Sequence, residues 1–210
     1  MTDRDLSSPL TTVHRFTVKG NPRRFEQKFR EHSQYLRRRR DFSYLVTVRL
    51  LDSPGSYVHV GHWRSLEGFI ETVHTETFLE HVRCLEPMVD TEADQAVSVD
   101  RLLVRNARPG HDNVVLLPCT VLGGALEFEK EARELSRLLA GTDGFGGFDL
   151  LRSTFRPQRY LGMVWWTDTG ACDRALAGAE RGGAYDGLAR VARLRVERTR
   201  HIAYERGITG

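Results

Sequence analysis

The stretch Thr17 to Trp63 occurs twice in the chain: moved by 103 positions, it falls without a gap on Thr120 to Trp166. Thr17, Val18 and Gly20 match Thr120, Val121 and Gly123. Phe25, Glu26, Arg30, Glu31, Ser33 and Leu36 match Phe128, Glu129, Arg133, Glu134, Ser136 and Leu139. Phe42, Arg49, Pro54, Tyr57 and Trp63 match Phe145, Arg152, Pro157, Tyr160 and Trp166. These fourteen identities compare with roughly three expected by chance. The period is too long for a solenoid repeat, so the chain reads as one small domain duplicated and fused. The expected domains are residues 11–105 and 113–206, joined by the linker Asn106 to Asp112. Two halves this small bury modest cores alone, and packing against each other would help both.

Local patterning gives each copy the order β-α-β-β-α-β. In the first, Thr12 to Val18 alternates as a strand and Gly20-Asn21-Pro22 ends it. Phe25, Phe29 and Leu36 then recur at near-helical spacing. Phe42 to Leu51 and Ser56 to Trp63 read as strands around the turn Asp52-Ser53-Pro54-Gly55. Ser65 caps a helix that breaks near His74-Thr75, and Ala96 to Val104 is the last strand. The second copy repeats this with strands at 114–121, 145–155 and 159–167, a helix over 126–140 and a final strand over 193–203. Between the last two strands lies a helix broken at Gly182-Gly183. Met1 to Leu10 reads as a loose leader. The expected class is α+β: two tandem ferredoxin-like domains, whose open sheet faces pack together as a barrel within one chain.

Composition narrows the function classes. A net charge of +3 is too small to argue for nucleic acid. No apolar run approaches the ~20 residues of a membrane span. The polar start, acidic at Asp3 and Asp5, lacks a signal-peptide pattern, so a cytoplasmic location is the default expectation. Cys84, Cys119 and Cys172 sit far apart within apolar patterns and read as reduced, buried thiols. His59-x-x-His62 in a strand points its rings to opposite faces, so no metal site is expected.

Trp63-x-Ser65-x-Glu67-x-Phe69 follows a strand, with His74, Phe78 and His81 on the helix beyond it. This resembles the antibiotic biosynthesis monooxygenase family, whose members pair ferredoxin-like units into a dimeric α+β barrel. The resemblance covers Val13 to about Val89 and, through the repeat and Trp166, most of the second half. It implies a pocket between sheet and helices, a small aromatic substrate, dioxygen and no cofactor. It maps the family's site tryptophan onto Trp63 and Trp166. It also expects an Asn in the first strand, where this chain has Val13 and Leu116. A haem-ligand His does not map either: His81 lies one residue off, beside Val82. Fusion of the halves leaves room for a homodimer of the whole chain.

Cofactor-free oxygenation needs an electron-rich phenol or anthrone, a base for its proton and an apolar, aromatic pocket. His59, on the strand face of Tyr57 and Trp63, is the candidate base, with Trp63 framing the substrate and Arg49 holding a phenolate. Tyr57, Phe16, Phe42, His32 and His74 are the substrate-contact candidates in the first copy. Trp166, Tyr160 and Arg152 are their counterparts in the second. A mid-strand Arg49 must reach water, a carboxylate or a ligand. The second copy has Leu135 for His32 and Gly162 for His59, so the base is expected in the first copy. The alternatives are a non-oxidative polyketide cyclase on the same fold and a non-enzymatic small-molecule-binding protein.

Overall fold

A computed structural model describes residues 5–208 of the chain. Contacts divide it into two units. Unit 1 comprises the chain up to Arg49, Ser53–Gln95 and the chain from Ile202 onward; unit 2 comprises Leu50–Asp52 and Ala96–His201.

Unit 1 is built from β1 (Leu10–Val18), α1 (Pro22–Leu36), β2 (Phe42–Leu50), β3 (Ser56–Trp63), α2 (Leu66–Val73), α3 (Glu76–Leu85) and the first half of β4 (Val89–Leu103). Its strands lie in the order β4-β1-β3-β2. Each helix start has a chemical cause. The Asn21 side chain accepts from the Arg23 and Arg24 N–H groups ahead of Pro22. Ser65 Oγ accepts from Gly68 N–H at 3.0 Å and donates to Asp41 at 2.8 Å. Thr75 caps α3, which places the helix break at His74-Thr75 where the sequence puts it.

Unit 2 holds the second half of β4, then β5 (Val114–Val121), α4 (Ala125–Ala140), β6 (Phe145–Ser153), β7 (Arg159–Trp166), α5 (Thr169–Arg181), α6 (Asp186–Val191), β8 (Ala192–Leu194) and β9 (Glu197–Arg206). β5 pairs with β7 on one side and with β8 and β9 on the other; β6 pairs with β7 and with Ala96–Leu103 of β4. The pairings are antiparallel.

Three sequence expectations change. Residues 6–8 are not loose: Ser8 and Leu6 carbonyls accept from Leu66 and Glu67 N–H at 2.9 and 3.0 Å, satisfying the first turn of α2. Residues 1–4 of the expected leader lie outside the described residues. The fourth strand of the first copy begins at Val89, seven residues before Ala96. The final strand is two pieces, β8 and β9, parted opposite Leu117-Pro118, where Pro118 has no N–H to give the ladder.

The turn before β2 and the turn before β6 share a backbone feature. Asp41 and Gly144, 103 positions apart, both take a left-handed conformation, with φ of 59° and 71°. Asp is among the few side chains that tolerate this region. Its side chain then lies against α2, where a Cβ on Gly68 would come within 2.6 Å of the Asp41 Cβ.

Candidate functional site

In β1 and β3 the register sets His14 opposite His59, Phe16 opposite Tyr57 and Thr12 opposite Gly61. β2 adds Thr47 opposite His59. Strand alternation puts these side chains on the face that meets α1. The His14 and His59 rings are 5.8 Å apart and stacked. Phe29 of α1 meets His59 edge-on at 5.1 Å and His32 at 5.9 Å. His32 continues to Phe78 and His81 of α3, each at 5.4 Å, and Tyr35 lies 5.2 Å from His81. Four histidines thus form one connected cluster with Phe29, Tyr35 and Phe78, and with Phe16 through His14 and Phe29, between sheet and helices.

Its polarity is poorly satisfied. Thr47 Oγ1 bonds His59 Nδ1 at 3.1 Å, which leaves Nε2 without a hydrogen bond among the described residues. His32 Nδ1 is buried without a partner. His14 and His81 make no hydrogen bond among the described residues. His14 sits on an interior strand facing the helices and still keeps accessible surface, so solvent-sized space reaches it. Gly61 is needed beside it: a Cβ there would meet Thr12 Oγ1 at 2.9 Å and His59 Nε2 at 3.1 Å.

Burial holds three of these imidazoles, His14, His32 and His59, neutral. It pushes His14 down to about 4. It pushes His32 down to about 3, aided by His81 and His14. His59 falls well below its ordinary value, by burial first and then by the charges that His14, His32 and His62 would carry. A cluster of neutral imidazoles with open nitrogens can take up protons or hydrogen-bond to a phenol. Among the described residues, no three His, Cys, Asp or Glu side chains are arranged to hold a metal ion.

The other candidates go elsewhere. Trp63 and Phe42 lie in an apolar cluster with Leu10, Leu36, Leu45 and Leu66. Phe16 joins the site through His14, at 5.9 Å, and Phe29, at 5.5 Å. His74 is exposed at the end of α2, its Nδ1–H donating to the Ile70 carbonyl, and takes no part in the ring cluster. Arg49 reaches a carboxylate: it lies 3.5 Å from Glu26, which accepts from Tyr57 OH at 2.7 Å. Unit 2 repeats this triad, with Arg152 3.8 Å from Glu129 and Tyr160 OH donating to Glu129 at 2.7 Å. Trp166 is fully buried and donates to Thr142 Oγ1 at 3.0 Å. Sequence reasoning did not name His14, Phe29, Tyr35, Phe78 or His81 as substrate contacts, although Phe78 and His81 carry the family resemblance. The strand register alone could have found His14, since it lies directly across from His59.

Unit 2 has a packed core at the same positions. Val115, Leu117, Ala132, Leu135, Leu150 and Val164 replace Thr12, His14, Phe29, His32, Thr47 and Gly61, and all belong to one buried apolar cluster. Gly162 stands for His59, and Leu117 covers it: a Cβ on Gly162 would lie 3.1 Å from the Leu117 Cβ. Cys119 and Cys172 are buried as expected, but Cys84 is exposed near the end of α3. No helix among the described residues is long and apolar enough to cross a membrane.

The α+β architecture is similar in fold to solved structures that carry a monooxygenase name. One, from Fusobacterium nucleatum, matches with a TM-score of 0.78 over 96% of this chain and 97% of its own, at 7% identity. Another, from Lactobacillus acidophilus, matches with a TM-score of 0.70 over 95% and 96%, at 8% identity. The chain belongs to the family of the deoxynogalonate monooxygenase of Streptomyces nogalater. The two are 30% identical over 83 residues, which span 40% of this chain and 70% of that protein. No family model matches the chain.

Proposed function

We propose that this chain is a cofactor-independent monooxygenase that oxygenates a phenol- or anthrone-type aromatic polyketide, and that the reaction belongs to unit 1. The observation that carries this reading is the cluster of His14, His32, His59 and His81 against Phe16, Phe29, Tyr35 and Phe78, with imidazole nitrogens that bond nothing. Kinship with a monooxygenase supports it. Each unit is read as ferredoxin-like, and the pair as the intrachain barrel expected from the repeat.

The chemistry needs a base and a stabilised anion. His59 Nε2 takes a proton from the activated CH2 or phenol of the substrate. The anion offsets the burial that otherwise keeps the imidazole neutral, so imidazolium and carbanion form together. The carbanion passes one electron to dioxygen. The resulting radical and superoxide combine at carbon, and the proton from His59 completes a hydroperoxide. Loss of the second C–H proton with O–O cleavage gives a carbonyl and water, so one CH2 and one O2 become C=O and H2O. The aromatic rings hold the flat substrate and exclude water. Trp63 and Phe42 act as the wall behind the site. Arg49, Tyr57, Arg152 and Tyr160 act as structural triads.

The test is oxygen uptake with a simple anthrone, without added metal or flavin. His59→Ala should lower the rate by about 10²–10⁴, the usual worth of a positioned base. Uptake no faster than the spontaneous reaction, in wild type as in variant, would end the reading for anthrones. Val13 in place of the expected first-strand Asn favours a non-enzymatic small-molecule-binding protein, and a non-oxidative cyclase is the remaining alternative. It would use the same imidazoles to enolise a poly-β-ketone and would consume no oxygen.

A further inference from the structure

Between α1 and α3 of unit 1 lies a cleft of ≈ 210 Å³, lined by Lys28, Glu31, Glu80, His81, Cys84 and Leu85. One of these side chains, His81, also belongs to the buried ring cluster. We propose that this cleft is the entrance through which a flat aromatic ligand reaches the histidines of unit 1, with His81 as the side chain that turns to admit it. The proposal rests on the functional reading above for the kind of ligand, but the path itself follows from the geometry.

Three observations support it. No hydrogen bond among the described residues restrains the His81 ring, which rests on the His32 and Tyr35 rings at 5.4 and 5.2 Å. Turning it costs ring contacts and breaks no polar bond. Directly behind it, His32 is 8% exposed and holds an unpartnered Nδ1, a polar atom that a phenolic hydroxyl would satisfy. From His32 the rings lead through Phe29 to His59 and His14.

Cys84 makes the entrance testable. It is exposed, whereas burial pushes the Cys119 and Cys172 thiols up to about 12, so at neutral pH a maleimide reacts at Cys84. Protein capped at Cys84 with a pyrene maleimide is compared with protein capped by a methylthio group and with Cys84→Ser exposed to the same reagents. Each is treated with diethyl pyrocarbonate, which transfers an ethoxycarbonyl group to a neutral imidazole nitrogen and releases ethanol and carbon dioxide. Modification of each histidine is followed by peptide mass spectrometry. The pyrene cap should slow reaction at His32, His59 and His14 by about tenfold or more, as a closed gate would. Exposed His74 and His111 should react as before. The methylthio cap and Cys84→Ser should show no protection. His81→Ala should speed the reaction of the inner three.

Inner histidines that react equally fast under the pyrene cap would overturn the entrance. So would inner histidines that stay unreactive in the uncapped protein. Oxygen uptake is read separately. Protection by the cap without uptake in any form would sink the oxygenase reading and leave the entrance standing. Uptake that survives the cap would do the reverse.

Discussion

Burial sets the protonation of the histidines beneath the unit 1 sheet, and two predictions follow at the scale of single residues. The folded values of His14 and His32, about 4 and about 3, lie below the ordinary 6.5. Between those limits the unfolded chain binds more protons than the folded one, so stability is full above 6.5 and falls as the pH drops towards 4. For His32 alone this amounts to about 2 kcal/mol between pH 6.5 and pH 5. His32→Leu, which places in unit 1 the residue that unit 2 has at 135, should therefore lose about 2 kcal/mol less than wild type on going from pH 7 to pH 5. Urea unfolding at the two pH values measures it, and equal losses would mean that His32 titrates normally. In the proposed oxygenase the same burial would act on catalysis. A base with a depressed value stays neutral in mild acid, so kcat/KM should hold steady as pH falls through 6.5. A drop centred at 6.5 would point to an exposed histidine. The Tyr-Glu-Arg triads carry the opposite expectation. Burial and the Glu26 carboxylate push the Tyr57 hydroxyl up, and burial with Glu129 takes Tyr160 to about 12, so both stay protonated donors. Tyr57→Phe and Tyr160→Phe should each cost about 1–2 kcal/mol of stability and leave turnover nearly unchanged. A large loss of turnover in Tyr57→Phe alone would return Tyr57 to the substrate.

At the scale of elements, matched positions on the strands of the two units are filled in two ways. Position by position, the helix-facing row of β1, β2 and β3 carries Thr12, His14, Thr47, His59 and Gly61. The same row of β5, β6 and β7 carries Val115, Leu117, Leu150, Gly162 and Val164. The second set fills its space and the first leaves polar atoms without partners, which costs stability. The double substitution His14→Leu with His59→Gly transplants the unit 2 solution. It should abolish turnover while holding or raising stability at pH 7 by about 1–2 kcal/mol, the usual sign of a site kept at the expense of packing. A marked loss of stability would mean that the histidines themselves support the core. The elements were largely legible in the sequence. The caps at Asn21, Ser65 and Thr75 and the break at His74-Thr75 follow from local rules. The early start of β4 and the split of β8 from β9 do not, because strand limits depend on which neighbour supplies hydrogen bonds.

At the scale of the whole molecule, neither unit is a single stretch of chain. Unit 1 takes its last segment from Ile202 onward, where Gly207 N–H donates to the Ser43 carbonyl at 2.8 Å and Glu205 pairs with Arg37 at 2.9 Å. Unit 2 takes Ala96–Leu103, which pairs with β6. A fragment ending at the linker, residues 1–105, should therefore leave the β2 edge of unit 1 open. It should unfold at lower urea than the intact chain and self-associate through that edge, as size-exclusion chromatography would detect. A stable monomeric fragment would show that the C-terminal segment adds little.

The sequence by itself determined the fourteen matched positions, the helix breaks, the opposite facing of His59 and His62, and the absence of the matching histidines from the second half. These are properties of spacing and residue type, fixed by helical and strand periodicity within a few residues of each position. Only the tertiary structure decided that His14 stands across from His59, that Arg49 and Arg152 answer Glu26 and Glu129, and that His81 reaches His32 from α3. Those contacts join residues far apart in the chain, and their energies depend on register, burial and the absence of water. No local pattern encodes any of these, so the site could be bounded from the sequence and assembled only by the fold.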